Sequence, residues 1–215
     1  DLAVTGEIYT KGSWGLAAKS GYKKRYKYSG SFDASYLVTK TGDKDLPDYS
    51  LSKDFQLRWS HTQDPKANPY LSFSASVNFS TSSYDRNNQN SYYAQSGSYA
   101  AVNQNTKSSS INITKRFPNN PFTISANMSI NQITRDSSIA VTLPNMTITM
   151  SRIFPFKRKH AVGKERWYEK IAMSYSGTLS NSITTKENKL FKSNLVKDWR
   201  NAMQHSIPVS ATFQL

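Results

Sequence analysis

The sequence predicts an all-β protein: a segment of an antiparallel transmembrane β-barrel, about nine strands long and belonging to a larger barrel. Three observations carry this reading. Side-chain polarity alternates with period two in nearly every part of the chain, as in strands with one wet and one apolar face. Several runs alternate for nine residues or more, where soluble strands usually have ~5–6 and membrane-spanning strands need ~9–11. The composition is polar, with a mean hydropathy of −0.64, yet 13% aromatic. No apolar stretch approaches the ~20 residues of a membrane helix, whereas a barrel strand needs only every second residue apolar.

Taken in order, a weakly alternating run covers 7–19. The second run, 25–38, is the clearest: Tyr26, Tyr28, Gly30, Phe32, Ala34, Tyr36 and Val38 share one face. Arg25, Lys27, Ser29, Ser31, Asp33 and Ser35 share the other. After a weaker run at 54–61, Leu71, Phe73, Ala75, Val77 and Phe79 alternate with serines and Asn78. A run at 108–117 precedes Phe122, Ile124, Ala126, Met128 and Ile130, which alternate with Thr123, Ser125, Asn127, Ser129 and Asn131. Weaker runs span 139–153 and 166–183, and Ile207, Val209, Ala211, Phe213 and Leu215 close the chain. A soluble sandwich also alternates. Strand length decides for a barrel, as does a polar face of Ser, Thr, Asn and Gln, residues that tolerate a wet lumen. Tyr26, Tyr28, Tyr36, Phe79, Phe117, Phe122 and Trp167 lie near run ends, where interfacial girdles sit.

The connections fall into two sets, because successive antiparallel strands turn at opposite ends. Odd connections lie near 20–24, 62–69, 118–121 and 154–165; even ones lie near 41–53, 82–107, 135–137 and 184–204. Pro65, Pro69, Pro118, Pro121 and Pro155 are all on the odd side, and most long polar connections are on the even side. Short periplasmic turns and long outer loops make the odd side periplasmic, although 135–137 is short and 154–165 is long and basic. Lys115, Arg152 and Glu169 have apolar-face parity but lie close to odd connections, within reach of headgroups. Pro144 and Pro208 interrupt strand-like runs, marking either bulges or a weakened seam between strands. An odd strand count argues for part of a larger barrel.

Lys and Arg outnumber Asp and Glu by 28 to 14, a formal charge of +14. Such a surface suits anionic partners, nucleic acid or lipid headgroups; in a barrel it is the headgroup reading that stands. The segment Asp1-Leu2-Ala3-Val4 is no export signal, so such a signal is expected to have been removed or to precede this segment in a longer chain. The cations Lys11, Lys19, Arg25, Lys27 and Arg58, with Arg116 and Lys170, share the polar face by parity. A cation-lined lumen suits anionic cargo; the competing account is a structural charge network or strand-end charges. Arg25 and Lys27, two residues apart, are the strongest candidates for one phosphorylated headgroup. His61 and Asp64 flank a turn, where a turn-stabilising hydrogen bond is expected rather than a catalytic pair. His160 sits in a basic run and His205 opens the last strand. No serine is singled out by a nucleophile elbow. With no phosphate loop, no paired metal ligands and no cysteine, neither an enzyme nor a cofactor is expected.

Several segments resemble one family. They are W-S-H-T-Q-D-P-K-A-N-P-Y from Trp59 to Tyr70, F-S-A-S-V-N-F-S at 73–80, R-F-P-N-N-P-F at 116–122, R-I-F-P-F-K-R-K at 152–159, R-W-Y-E-K-I at 166–171 and H-S-I-P-V-S at 205–210. Together, over roughly 50–215, they resemble the barrel region of the lipopolysaccharide-assembly protein LptD, in the form found in Bacteroidota. The tryptophan-led block is the most specific; the alternating strands around it are not. The resemblance implies a large outer-membrane barrel that receives lipopolysaccharide from a periplasmic Lpt bridge and releases it into the outer leaflet. It also implies closure between first and last strands, lateral opening there, and a lipoprotein plug, LptE. Residues 1–215 then read as one barrel segment lacking the family's periplasmic jellyroll and several of its strands. The resemblance fixes no substrate-contacting residue. The alternative is another outer-membrane barrel, a porin or receptor.

Overall fold

A computed structural model describes residues 1–87, 106–158, 163–189 and 198–212, and only the backbone of Asp85 and Arg86. It shows an all-β antiparallel sheet. In chain order the strands are β1 (Leu2–Ile8), β2 (Trp14–Lys24), β3 (Tyr28–Thr41), β4 (Ser50–Gln63) and β5 (Leu71–Ser80). After the short helix α1 (Tyr84–Asn87) come β6 (Thr106–Arg116), β7 (Phe122–Ile133), β8 (Ser138–Ile153), β9 (Ile171–Lys186), β10 (Arg200–Ser206) and β11 (Val209–Ala211). Each strand pairs with the next in sequence up to β10, and the sheet ends at β1 and β10 without closing on itself. No described helix is long and apolar enough to cross a membrane.

Among the described residues eleven strands replace the nine expected, for two physical reasons. The first expected run, 7–19, is a hairpin: Ile8 pairs with Trp14 and Glu7 with Gly15. Cross-strand partners there have equal parity, so alternation continues through the turn and conceals it. Gly12, at φ +78, makes that turn possible. The last run begins at Arg200 rather than Ser206 and is divided by Pro208. Both β10 and β11 pair with β9 in one continuous register. The Pro208 carbonyl accepts from Ser174 N at 3.1 Å, but proline has no N–H to return, so the ladder breaks without slipping.

Pro144 does more. Asn127 pairs with Asn145 while Ser129 pairs with Thr142, so β8 carries one extra residue there, and β9 sees the same shift. Ile139, Val141 and Leu143 are apolar on odd numbers, then Met146, Ile148 and Met150 on even ones. The bulge absorbs the change of parity and keeps one apolar face along the strand. A second shift lies between Met150 and Ile153. It turns Arg152 to the polar face, where Nη2 contacts Ser210 Oγ at 3.3 Å, so its expected apolar-face parity is overturned. Glu169 and Lys170 also leave the strand expected of them and lie in a 3-10 helix, Trp167–Lys170.

The register sorts side chains as alternation predicts. Ser31, Ser60, Ser76, Ser110, Ser129, Thr142 and Ser182 form one transverse row across β3 to β9. Asn112, Asn127 and Asn145 lie in the next row, with Asn127 Nδ2 donating to Asn112 Oδ1. On the opposite face Tyr28, Phe32, Tyr36, Ile113 and Phe122 are exposed, a surface suited to acyl chains. The buried core is small: Ile139, Val141 and Ile183, packed by Phe79, Ile130, Leu143 and Trp199 at the even end.

The described odd connections are 25–27, 64–70, 117–121 and part of 154–170. Within two residues of them lie Lys23, Lys24, Arg25, Lys27, Lys66, Lys115, Arg116, Arg152, Lys157, Arg158, Lys164, Arg166 and Lys170. Only three described carboxylates, Asp64, Glu165 and Glu169, accompany these thirteen cations. At the even connections eight described cations face seven described carboxylates by the same count. The excess charge is therefore concentrated at one rim.

Candidate functional site

The polar faces of β1 to β5 form a trough of about 640 Å³. Lys19, Ser31, Asp33, Arg58, Ser60 and Ser76 line it, on four strands held in register by the ladder, with Ala3 of β1 at its edge. Lys19 stands opposite Asp33, with Nζ 3.7 Å from Oδ2, and Asp33 stands opposite Arg58. With its amide turned so that the oxygen faces the guanidinium, Gln56 accepts from Arg58 Nη2 at 3.0 Å and Nε at 3.3 Å. Ser31 and Ser60 hydroxyls meet at 2.8 Å. The result is a hydroxyl-lined channel wall carrying two cations and one carboxylate. Chemically it can exchange hydrogen bonds with sugars and present Lys19 and Arg58, flanking Asp33, to an anionic group. Among the described residues no group of three or more His, Asp or Glu could hold a metal ion.

The even end of the trough is narrowed by the chain after β5. Asp54, fully buried on the polar face of β4, accepts from Ser52 Oγ at 2.8 Å, Thr81 Oγ1 at 3.0 Å, Asn87 Nδ2 at 2.6 Å and Ser83 Oγ. Four donors without a cation satisfy the carboxylate where burial would otherwise be costly. They draw residues 81–87 inward, and the Tyr84 hydroxyl reaches Ser35 Oγ on β3. Sequence reasoning missed this feature. Its one visible signal was an acid between Ser52 and Gln56 on the polar face of the strand.

The five sequence candidates separate. Lys19 and Arg58 lie in the trough. Arg25 and Lys27 do not share a strand face: with Tyr26 they form the β2–β3 turn, so the two-residue spacing argument fails. Tyr26 adopts φ 59 there, a left-handed turn conformation that ends the alternation. Lys11 lies in the β1–β2 turn, at the even end. Of the further cations assigned to that face, Arg116 stands opposite Thr123 near the odd rim.

The histidines act differently from expectation. His61 does not brace the turn; Asp64 Oδ1 does, accepting from Lys66 N at 2.9 Å. His61 lies on the apolar face of β4, its Nδ1 3.0 Å from the Tyr22 hydroxyl, with Gly30 between them on β3. Trp59 Nε1 donates to the same hydroxyl at 2.8 Å. His205 repeats the device, with Nδ1 2.8 Å from the Tyr175 hydroxyl beside Gly177. In both places an added Cβ on the glycine would collide with the tyrosine hydroxyl. His160 lies outside the described residues.

Beyond the strands, Glu169 organises the β8–β9 connection. Its carboxylate accepts from Arg158 Nε, Arg158 Nη2 at 3.2 Å and Arg166 N at 2.8 Å. The guanidinium of Arg158 and these N–H donors hold it at a pKa of about 2.

The full length of the chain, residues 1–215, matches the protein family described as LptD protein. It matches no curated protein and no solved structure. An alternating antiparallel sheet with one apolar and one hydroxyl-rich face agrees with that match. The chain belongs to the LptD family, whose members serve lipopolysaccharide transport and assembly at the outer membrane of Gram-negative bacteria.

Proposed function

We propose that residues 1–215 form one wall segment of a multi-pass outer-membrane barrel that takes lipopolysaccharide from the periplasm and inserts it into the outer leaflet. The observation that carries the reading is the continuous hydroxyl and amide face backed by an exposed apolar one. The first suits sugars and phosphates in a wet lumen, and the second suits acyl chains. On this reading Lys19 and Arg58 touch the phosphorylated part of the cargo. Lys11 stands at the even end of the wall, and Arg25 and Lys27 stand at its odd rim, outside the trough. A periplasmic Lpt bridge delivers the cargo, and an LptE-like lipoprotein occupies the lumen, as in the Bacteroidota-type barrel the sequence resembles.

Photo-crosslinking in growing cells tests this. A photoreactive residue in place of Arg58, Ser60 or Ser76 should form a lipopolysaccharide adduct. Lys19→Glu with Arg58→Glu should lower surface lipopolysaccharide at matched barrel levels. Absence of adducts from all three trough positions, or unchanged delivery in the double reversal, would remove the trough from the pathway and favour a porin-like barrel.

A further inference from the structure

The excess positive charge at the odd rim has a local organisation. All five cation–π contacts among the described residues lie there. Arg25 and Lys66 are 4.8 Å and 5.1 Å from the Tyr26 ring, Lys115 is 5.1 Å from Phe117, and Arg152 and Lys157 are 5.3 Å and 5.9 Å from Phe154. The densest corner joins the β2–β3 turn to the β4–β5 turn. Tyr26 is held in the left-handed region at φ 59, a conformation unfavourable for a bulky residue and maintained by its surroundings. That conformation brings cations from two separate turns to one ring. Lys23, Lys24, Arg25, Lys27 and Lys66 are all exposed, and among the described residues none of them is in an ion pair.

Directly below, on the apolar face, lies an aromatic plate. Tyr28 stacks on His61 at 5.7 Å and 29°, and Tyr22 lies 6.1 Å from Tyr28. Trp59 Nε1 donates to the Tyr22 oxygen, and the same hydroxyl is hydrogen-bonded to His61 Nδ1. Cations at the rim above rings with polar tips make an amphipathic surface whose chemistry matches one molecule: a phosphate above, glycerol esters at ring height, and alkyl chains below.

We propose that this corner, with Arg25, Lys27 and Lys66 above Tyr22, Tyr28 and His61, docks an anionic phospholipid of the surrounding leaflet. Its phosphate meets the cations, and its glycerol and upper acyl carbons lie on the rings. The site is on the outside of the wall, apart from the trough, so it stands or falls separately from cargo transport.

The test uses the intact protein that carries this segment, purified in mild detergent and titrated with phosphatidylglycerol, phosphatidylcholine or lipopolysaccharide. Bound lipid is counted by native mass spectrometry. The wild type should retain phosphatidylglycerol in preference to phosphatidylcholine, with a preference that weakens as salt rises. Arg25→Gln with Lys27→Gln and Lys66→Gln should lower that retention by a factor on the order of ten or more. Arg25→Lys should keep it, and Lys40→Gln with Lys44→Gln at the even rim should leave it unchanged. Equal retention in the triple variant, equal loss in the even-rim control, or selective retention of lipopolysaccharide would each overturn the proposal.

Discussion

At the residue scale, the recurring unit is a tyrosine laid over a glycine so that its hydroxyl reaches a histidine. It occurs at Tyr22, Gly30 and His61, and again at Tyr175, Gly177 and His205. Each ring covers backbone that a glycine leaves bare, and each hydroxyl finds a partner on a face otherwise given to apolar groups. The first unit is the more constrained, because a Cβ at Gly30 would also meet the Ser60 carbonyl. Gly30→Ala should therefore destabilise the barrel by about 1–3 kcal/mol through overpacking. Gly21→Ala, with nothing within 4 Å of its added Cβ, serves as the control. Unfolding in denaturant, followed by tryptophan emission from Trp59, reads the difference; equal stability of the two variants would contradict the packing account. Neither unit was legible in the sequence, since its parts are separated by eight and thirty-one residues in the first case, and only the register makes them neighbours.

At the element scale, β8 shows how a strand can break alternation and keep its faces. The three-residue step from Leu143 to Met146 was present in the sequence, and Pro144 marked it as one of two readings, bulge or seam. The structure shows the bulge. Deleting Pro144 shortens that step to two, so both halves of β8 keep their faces without any bulge. That deletion variant should still assemble. Deleting Met128, in the uninterrupted pairing of β7 with β6, should abolish assembly, because every residue after it changes face. Heat-modifiable migration of the folded barrel measures both. Failure of the Pro144 deletion would mean that the bend itself, rather than the parity correction, is what assembly requires.

At the scale of the whole molecule, the two ends of the sheet differ in charge. Among the described residues the odd rim holds the excess cations and the cation–π contacts, while charges nearly balance at the even rim. The longest connection, after β5, is at the even end, and the next longest, after β8, is at the odd end. If the odd end is periplasmic, cysteines replacing Asp45 or Asn188 should react with an impermeant thiol reagent on intact cells. Cysteines replacing Lys66 or Asn119 should react only after the envelope is broken. The absence of cysteine from this chain gives it no labelling background of its own. The reverse pattern would invert the orientation, and uniform labelling would argue against a membrane wall. Asn88, the other natural choice for an even-side probe, lies outside the described residues.

The sequence by itself determined the fold class, the polar and apolar faces of the strands, and the division of connections between two ends. These follow from local rules: a two-residue repeat fixes which side chains share a face, whatever the neighbouring strands do. It also carried the family, through the tryptophan-led block and the shorter segments after it. Strand number was miscounted where a turn preserved parity, because parity records the face and not the direction of the chain. Only the tertiary structure decided which cations share a site. Lys19 and Arg58 are thirty-nine residues apart and come together through Asp33, whereas Arg25 and Lys27, almost adjacent, belong to a turn. Cross-strand register is a property of paired backbones, and a single strand's pattern does not contain it.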